Sequence, residues 1–256
     1  MGTCRFLITN LAEGATVKNG SGGSPTPPVR SEVTPFVMER ALNADRRSLW
    51  RAGATNDTIG FTCYQLDIDL GSAKDVNFAA VLGLSCPAGA IVGAGVAYLD
   101  SYPSTYTQQG GMDFNGRDGH MVIPTFTKRY WALAIEATAS PALGRFVLGS
   151  LIDLGVAPNP GSQSTPLQNR REQVGEDLSV TINEIGSPGH DFKLLFDPCT
   201  AAVRAMLDTV AAARGSVVYI DPEDRCFEVF VRGGRPETSS VNSSMSSVVL
   251  EMSRLP

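Results

Sequence analysis

The chain has 256 residues, a formal net charge of −5, 43% hydrophobic residues and only 18% charged ones. That balance excludes a disordered chain, which lacks apolar surface to bury, and an acidic balance argues against a nucleic-acid binder, which presents a basic face. No run approaches the ~18 apolar residues of a membrane helix, and the opening MGTCRFLITN has no charged n-region, apolar stretch or cleavage site, so neither a membrane span nor a signal peptide is predicted.

The length fits one large domain or two modest ones. Taken in chain order, Arg5–Thr9 reads as a short strand and Gly20–Pro28 (GSGGSPTPP) as a flexible surface segment. Short helical turns are expected at Met38–Leu42 and Asp45–Trp50, and turns across Gly53–Gly60. YQLDIDL (64–70) alternates, with Tyr64, Leu66, Ile68 and Leu70 on one face and Gln65, Asp67 and Asp69 on a solvated one. Gly71 ends that strand, and Val76–Leu84 and Ala90–Leu99 follow as two more. Ser101–Gly119 has no period and reads as a long loop. Such loops are uncommon and often functional, which makes Tyr102, Tyr106, Met112 and Phe114 candidate interface or ligand contacts. Trp131/Leu133/Ile135 and Phe146/Leu148 flank a turn region at Ala139–Gly144 and predict a strand pair.

NLAEGATV (10–17), LWRAG (49–53), YQLDIDLGSAKDVNFAAVLG (64–83) and RYWALAIEA (129–137) stand in an order that resembles the discoidin or galactose-binding jelly-roll family over residues 6–150. The resemblance implies a β-sandwich with Trp50 and Trp131 in its core. A carbohydrate-binding, host-recognition module is the alternative reading of the chain that follows from it. Such domains sometimes hold a structural Ca²⁺, for which Asp67, Asp69 and Asp75 are the oxygen donors to consider; no other cofactor is expected.

Val156–Pro166 reads as a Pro- and Ser-rich linker, followed by the polar link NRREQVG (169–175), in which Arg170 and Arg171 are candidate cross-subunit contacts. DLSVTINEI (177–185) alternates as a strand. A helix is predicted near 198–214, with Asp197 as N-cap, Pro198 in the first turn, Gly215 as the stop, and Val203, Met206, Leu207 and Val210 as one apolar stripe. Strands at Ser216–Asp221, Cys226–Arg232 and Ser247–Leu255 follow, with a Ser-rich excursion at Gly233–Ser246.

The order GRFVLGSL (144–151), NRRE, DLSVTI (177–182), amphipathic helix, VVYIDPED (217–224) and VVLEMSRL (248–255) resembles minor tail proteins of long-tailed bacteriophages, including distal tail and tail-tip ring proteins, over residues 129–256. The two resemblances imply a mainly β chain: a jelly roll over 1–150, then a tail-tube-like β-sandwich with one flanking α-helix over 151–256. They imply a structural virion protein, assembled in the host cytoplasm, that forms a ring with itself (a hexamer favoured, a trimer the alternative). Its partners would be the tail tube, the tail-tip or hub proteins and, under the alternative, a host-surface glycan. The tip of a ring-lining hairpin is expected within Gly233–Ser246.

No catalytic set is evident. His120 and His190 have no metal-spaced partner and read as exposed loop residues, and five cysteines at 4, 63, 86, 199 and 226 form no CxxC pair and read as reduced buried thiols. Gly93-Ala94-Gly95 begins a dinucleotide fingerprint without its third glycine or its helix, and Glu136, Glu172, Glu176 and Glu184 have no evident cleft to share as glycosidase carboxylates. The chain is therefore expected not to be an enzyme.

Overall fold

The computed structural model describes residues 2–18, 38–43, 49–53, 63–102, 106–115, 117–160, 162–167, 170–174, 180–184, 189–213, 215–232, 237–242 and 245–254. The expected segments at Gly20–Pro28 and most of Asp45–Trp50 and Gly53–Gly60, and Arg214, the last residue of the expected helix, lie outside these residues. The fold is mainly β with one α-helix among the described residues, the class expected. No described helix is long and apolar enough to cross a membrane. Two compact units form: Thr9–Leu151, and Ile152–Pro256 joined by Met1–Ile8. The N-terminal strand β1 (Arg5–Leu7), which the sequence places with the first unit, thus belongs to the second.

The first unit holds β2 (Thr16–Lys18), a 3-10 turn at Met38–Leu42, β3 (Trp50–Arg51), β4 (Tyr64–Leu82), β5 (Ile91–Leu99), β6 (Thr107–Gly111), β7 (Asp113–Asn115), β8 (Asp118–Ala137), β9 (Ala142–Leu143) and β10 (Arg145–Gly149). Its main sheet runs β10-β4-β8-β5-β6. The strands expected at 64–70 and 76–84 are one 19-residue strand, β4, paired antiparallel with the 20-residue β8. The register slips between Asp69 and Lys74, and Gly71 adopts a φ of 77° there, a conformation in which glycine costs nothing. Both halves of this pair feed one core: Leu66 and Ile68 from one, Ala79 and Val81 from the other, closed by Trp50, Trp131, Leu133 and Phe146. The paired strands therefore pass through both layers of a β-sandwich.

The predicted pairing of Tyr130–Ile135 with Phe146–Leu148 does not occur. Residues 145–149 pair with Leu82–Phe78, and Trp131–Ile135 pair with β4 and β5. Each run does point one face into the core, as its period predicts; period alone does not choose the partner strand. The long loop expected at Ser101–Gly119 contains β6 and β7. Its TQQGG strand carries no apolar alternation because most of it is exposed on both faces, and it lies close enough to β5 that a Cβ on Gly95 would stand 2.2 Å from the Gly110 carbonyl oxygen.

The second unit adds β11 (Ile152–Asp153), β12 (Gln163–Leu167), β13 (Arg170–Val174), β14 (Val180–Glu184), β15 (Gly189–Thr200), α1 (Ala201–Ala211), β16 (Ser216–Ile220), β17 (Cys226–Val231), β18 (Glu237–Asn242) and β19 (Met245–Arg254). Seven strands run β11-β1-β16-β17-β19-β15-β12, with β18 paired on β19. Phe6, Phe192, Tyr219 and Phe227 stack into one apolar layer. Val203, Leu207 and Val210 of α1 pack into the same core, with Met206 at its border, as the sequence stripe predicted.

The helix starts later than expected. Asp197 and Pro198 lie in β15, where the register slips between Phe196 and Cys199, a bulge that tolerates a residue without an N–H. Thr200 is the N-cap, its hydroxyl accepting from the Val203 N–H at 3.3 Å. Part of the expected linker is structured too: Asn159 N–H donates to the Leu195 carbonyl at 2.7 Å and β12 pairs with β15.

Gly95→Ala should lower stability by about 1–3 kcal/mol, because backbone rather than a flexible side chain must yield. Gly93→Ala, whose Cβ meets nothing within 4 Å, should be neutral or stabilising by up to ~1 kcal/mol. Thermal unfolding of the two variants tests the contrast; equal effects would contradict the close approach of β6 to β5.

Candidate functional site

The site lies on the face of the first unit's sheet that turns away from its main core. Register fixes who shares that face. Gln65, Ala134, Gly95 and Gly111 stand in one row across β4, β8, β5 and β6, and Asp67, Ala132, Ala97 and Gln108 in the next. Glu136 stands opposite Gly93 at the end of the face. Period two puts small residues here (Gly93, Gly95, Ala97; Ala132, Ala134) while Ala94, Val96, Leu133 and Ile135 enter the core.

One end of the face is covered. Tyr106 packs with Cys63, Ala97, Leu99, Ala132 and Ala134, and Tyr102 lies at their border with its ring 5.6 Å from that of Tyr130. Asp67, expected on a solvated face, is therefore only 3% exposed. Its carboxylate accepts from the Gln65 amide and the Tyr106 hydroxyl, each at 2.6 Å, and Gln65 also donates to the Tyr106 oxygen at 2.7 Å. Burial pushes the Asp67 carboxyl up to about 6, partly offset by those two donors. The Tyr106 hydroxyl is pushed up as well, by burial and by the adjoining Asp67 charge.

Asp69, also expected in solvent, is 4% exposed and has the opposite balance. Arg129 binds it through two nitrogens at 2.7 and 2.9 Å, with the Gly71 N–H at 2.8 Å and Lys18 at 3.2 Å, and these hold its carboxyl down at about 2. Asp75 accepts from the Thr127 hydroxyl at 2.6 Å. The three carboxylates considered for Ca²⁺ are thus committed to separate partners, and among the described residues no cluster of three or more His, Cys, Asp or Glu side chains is placed to hold a metal.

The other end of the face is open. A cleft of about 290 Å³ is lined by Gly93, Gly95, Gly111 and Ala134 with Gln108 and Glu136 at its borders. Two motifs weighed for other chemistry, Gly93-Ala94-Gly95 and Glu136, meet in it. The usable sequence signal was the run of small residues at every second position on two strands.

The aromatic candidates fare differently. Tyr106 and Met112, read as exposed contacts, are each 8% exposed: Tyr106 covers the sheet face and Met112 enters the main core. Tyr102 is half-buried. Phe114 is 39% exposed and lies over Gly119, where a Cβ would come within 2.6 Å of its ring. Arg170 and Arg171 fall on β13 opposite Glu184 and Asn183, far along the chain from the cleft and in the other unit. His120, expected in an exposed loop, is 4% exposed on β8 beside Phe78.

No protein-family model matches the chain, and no curated protein matches it. Among solved structures it is similar to chitosan-binding module 1 of a chitosanase/glucanase from Paenibacillus sp. IK-5, at 18% identity over 56% of this chain and 99% of that one, with a TM-score of 0.41. It is also similar to CBM32-1 of a family 31 glycoside hydrolase from Clostridium perfringens (13% identity, 56% and 99% covered, TM-score 0.43). A third is the lectin domain of Lectinolysin complexed with Lewis B antigen (14% identity, 56% and 97% covered, TM-score 0.42).

The two carboxylates should give opposite pH dependence. Asp67 favours its protonated form when folded, so its contribution is full below about pH 4 and is lost as pH rises through about 6, costing on the order of 2–3 kcal/mol at neutral pH. Asp67→Asn should remove that slope. Asp69 favours its ionised form, so Asp69→Asn should destabilise at pH 7 by about 1 kcal/mol, a half-exposed arginine partner giving no more, with the difference shrinking as pH falls from about 4 to about 2. Urea unfolding at pH 3, 5 and 7 checks both; parallel curves for wild type and the Asp67 variant would contradict the buried carboxylate.

Proposed function

We propose that this chain is a structural component of a bacteriophage tail tip, whose second unit closes with copies of itself into a ring joining the tail tube to the tip. The observation that carries the reading is the hairpin of β13 and β14, a two-stranded sheet of its own that follows β12, whereas β12 and β15 belong to the main sheet of the second unit. This hairpin supports the reading as a counterpart of the ring-lining hairpin that the tail-protein resemblance implies; Gly233–Ser246, where its tip is expected, holds β18, paired with β19.

A lone two-stranded hairpin is marginally stable in water, and its free edges offer unpaired N–H and C=O groups that invite another chain. A neighbouring copy meets both needs. Closed symmetry gives every copy the same contact, and obligate interfaces of this kind bury about 2,000–5,000 Å². A sixfold ring is favoured, a threefold one the alternative, with the tail tube and tail-tip or hub proteins as its neighbours in the virion.

A second reading concerns the first unit alone: contact with a glycan on the host surface. The open cleft beside Gly93 favours it, and the similar solved structures named above are carbohydrate-binding and lectin modules.

Light scattering on the purified full chain should give a molar mass six or three times that of the chain. Replacing residues 170–184 by an Asn-Gly turn should return a monomer with the unfolding transition of the first unit unchanged. A chain that stays monomeric at tens of micromolar and is missing from virions, or a ring that survives the deletion, would contradict the reading.

A further inference from the structure

We propose that the cleft on β5, β6 and β8 binds a single amine-bearing sugar ring, which rests on the glycan reading of the first unit. The floor is the backbone of β5 and β8 about Gly93, opposite Glu136; it is bounded on the β6 side by the Gly110 carbonyl oxygen, which a Cβ on Gly95 would meet at 2.2 Å, and at the far end by Ala97, buried under Tyr106. No side chain rises from Gly93, where a Cβ would meet nothing within 4 Å. A ring lying on its face fills such a bed, whereas the slim methylene stem of a lysine leaves most of it wet. The volume of about 290 Å³ sits at the lower edge of the ~300–1,000 Å³ of small-molecule sites, enough for one ring.

The polar groups stand at the borders, where a sugar carries its own. Gln108 lies opposite Ala97 at one end and Glu136 opposite Gly93 at the other. Glu136 is the one ionisable group of the lining, it is exposed, and among the described residues no cation pairs with it. A carboxylate only accepts hydrogen bonds and an ammonium only donates them, so the charge selects an amino sugar over its neutral counterparts. Because the pair is exposed, the selection is modest, a factor of about two to five, and it weakens as salt screens it.

The test is titration of the full chain with a glucosamine oligomer, the N-acetylglucosamine oligomer and a glucose oligomer of equal length, followed by NMR or calorimetry at low ionic strength. The glucosamine oligomer should bind two- to fivefold more tightly than the others. Glu136→Gln should erase that preference, and Gly93→Leu, with an unchanged melting temperature, should abolish binding. Equal binding of all three with no effect of Glu136→Gln, sugar binding that survives Gly93→Leu, or equal competition by a lysine peptide would overturn the proposal while leaving the glycan reading in place. Binding of no sugar at all would overturn both.

Discussion

The first unit depends on the antiparallel pairing of β4 with β8. These two strands run together over nearly twenty residues, and the rest of the main sheet is ordered about them. β10 and β2 pair along one side of β4, β5 along the far side of β8, and β6 along β5. The constraint acts through period two. Once Leu66 and Leu133 are committed to the core, Gln65, Asp67, Ala132 and Ala134 must share the opposite face. A slip of one residue would put Asp67 and Asp69 into the apolar interior, where unpaired carboxylates are very costly.

That opposite face is where structure and function meet. It is covered at one end by Tyr106 and Tyr102 and open at the other over Gly93, with the Gly110 carbonyl standing over Gly95. The covered end shows the cost of closing a polar face: a carboxyl that burial pushes up to about 6, satisfied by two donors from the same unit. The open end has no such cover because its residues are too small to hold one. The contrast between the ends follows from which side chains reach over them: Tyr106 and Tyr102 at one, none over Gly93 at the other.

Much of this was legible in the sequence. The alternation of 64–70 and the apolar stripe of α1 are local patterns, and local patterns survive folding, while the core positions of Trp50 and Trp131 are what the jelly-roll resemblance implies. What escaped depends on distant partners. Asp67 looks solvated until Tyr106, 39 residues on, is known to lie over it. Phe146–Leu148 looks like the return strand of a hairpin until Ala79–Val81 is known to pair with it. β6 has no apolar period because it is exposed on both faces, and β1 changes units because Arg5–Leu7 pairs with Ile220–Val218. In the second unit, composition at 156–166 and 169–175 suggests a linker and a polar link, while the backbone pairs Gln163–Leu167 with β15 and Arg170–Val174 with β14, which lies within the strand expected at 177–185.

The central claim is that the β13–β14 hairpin is completed by another copy of the chain. Hydrogen exchange at the amides of Arg170–Val174 and Val180–Glu184 tests it most directly, compared between dilute protein and the assembled form. The account predicts fast exchange when dilute and strong protection on assembly, confined to the hairpin and its new neighbour. Equal exchange in the two forms would show that the hairpin joins nothing, and the ring would have to be abandoned.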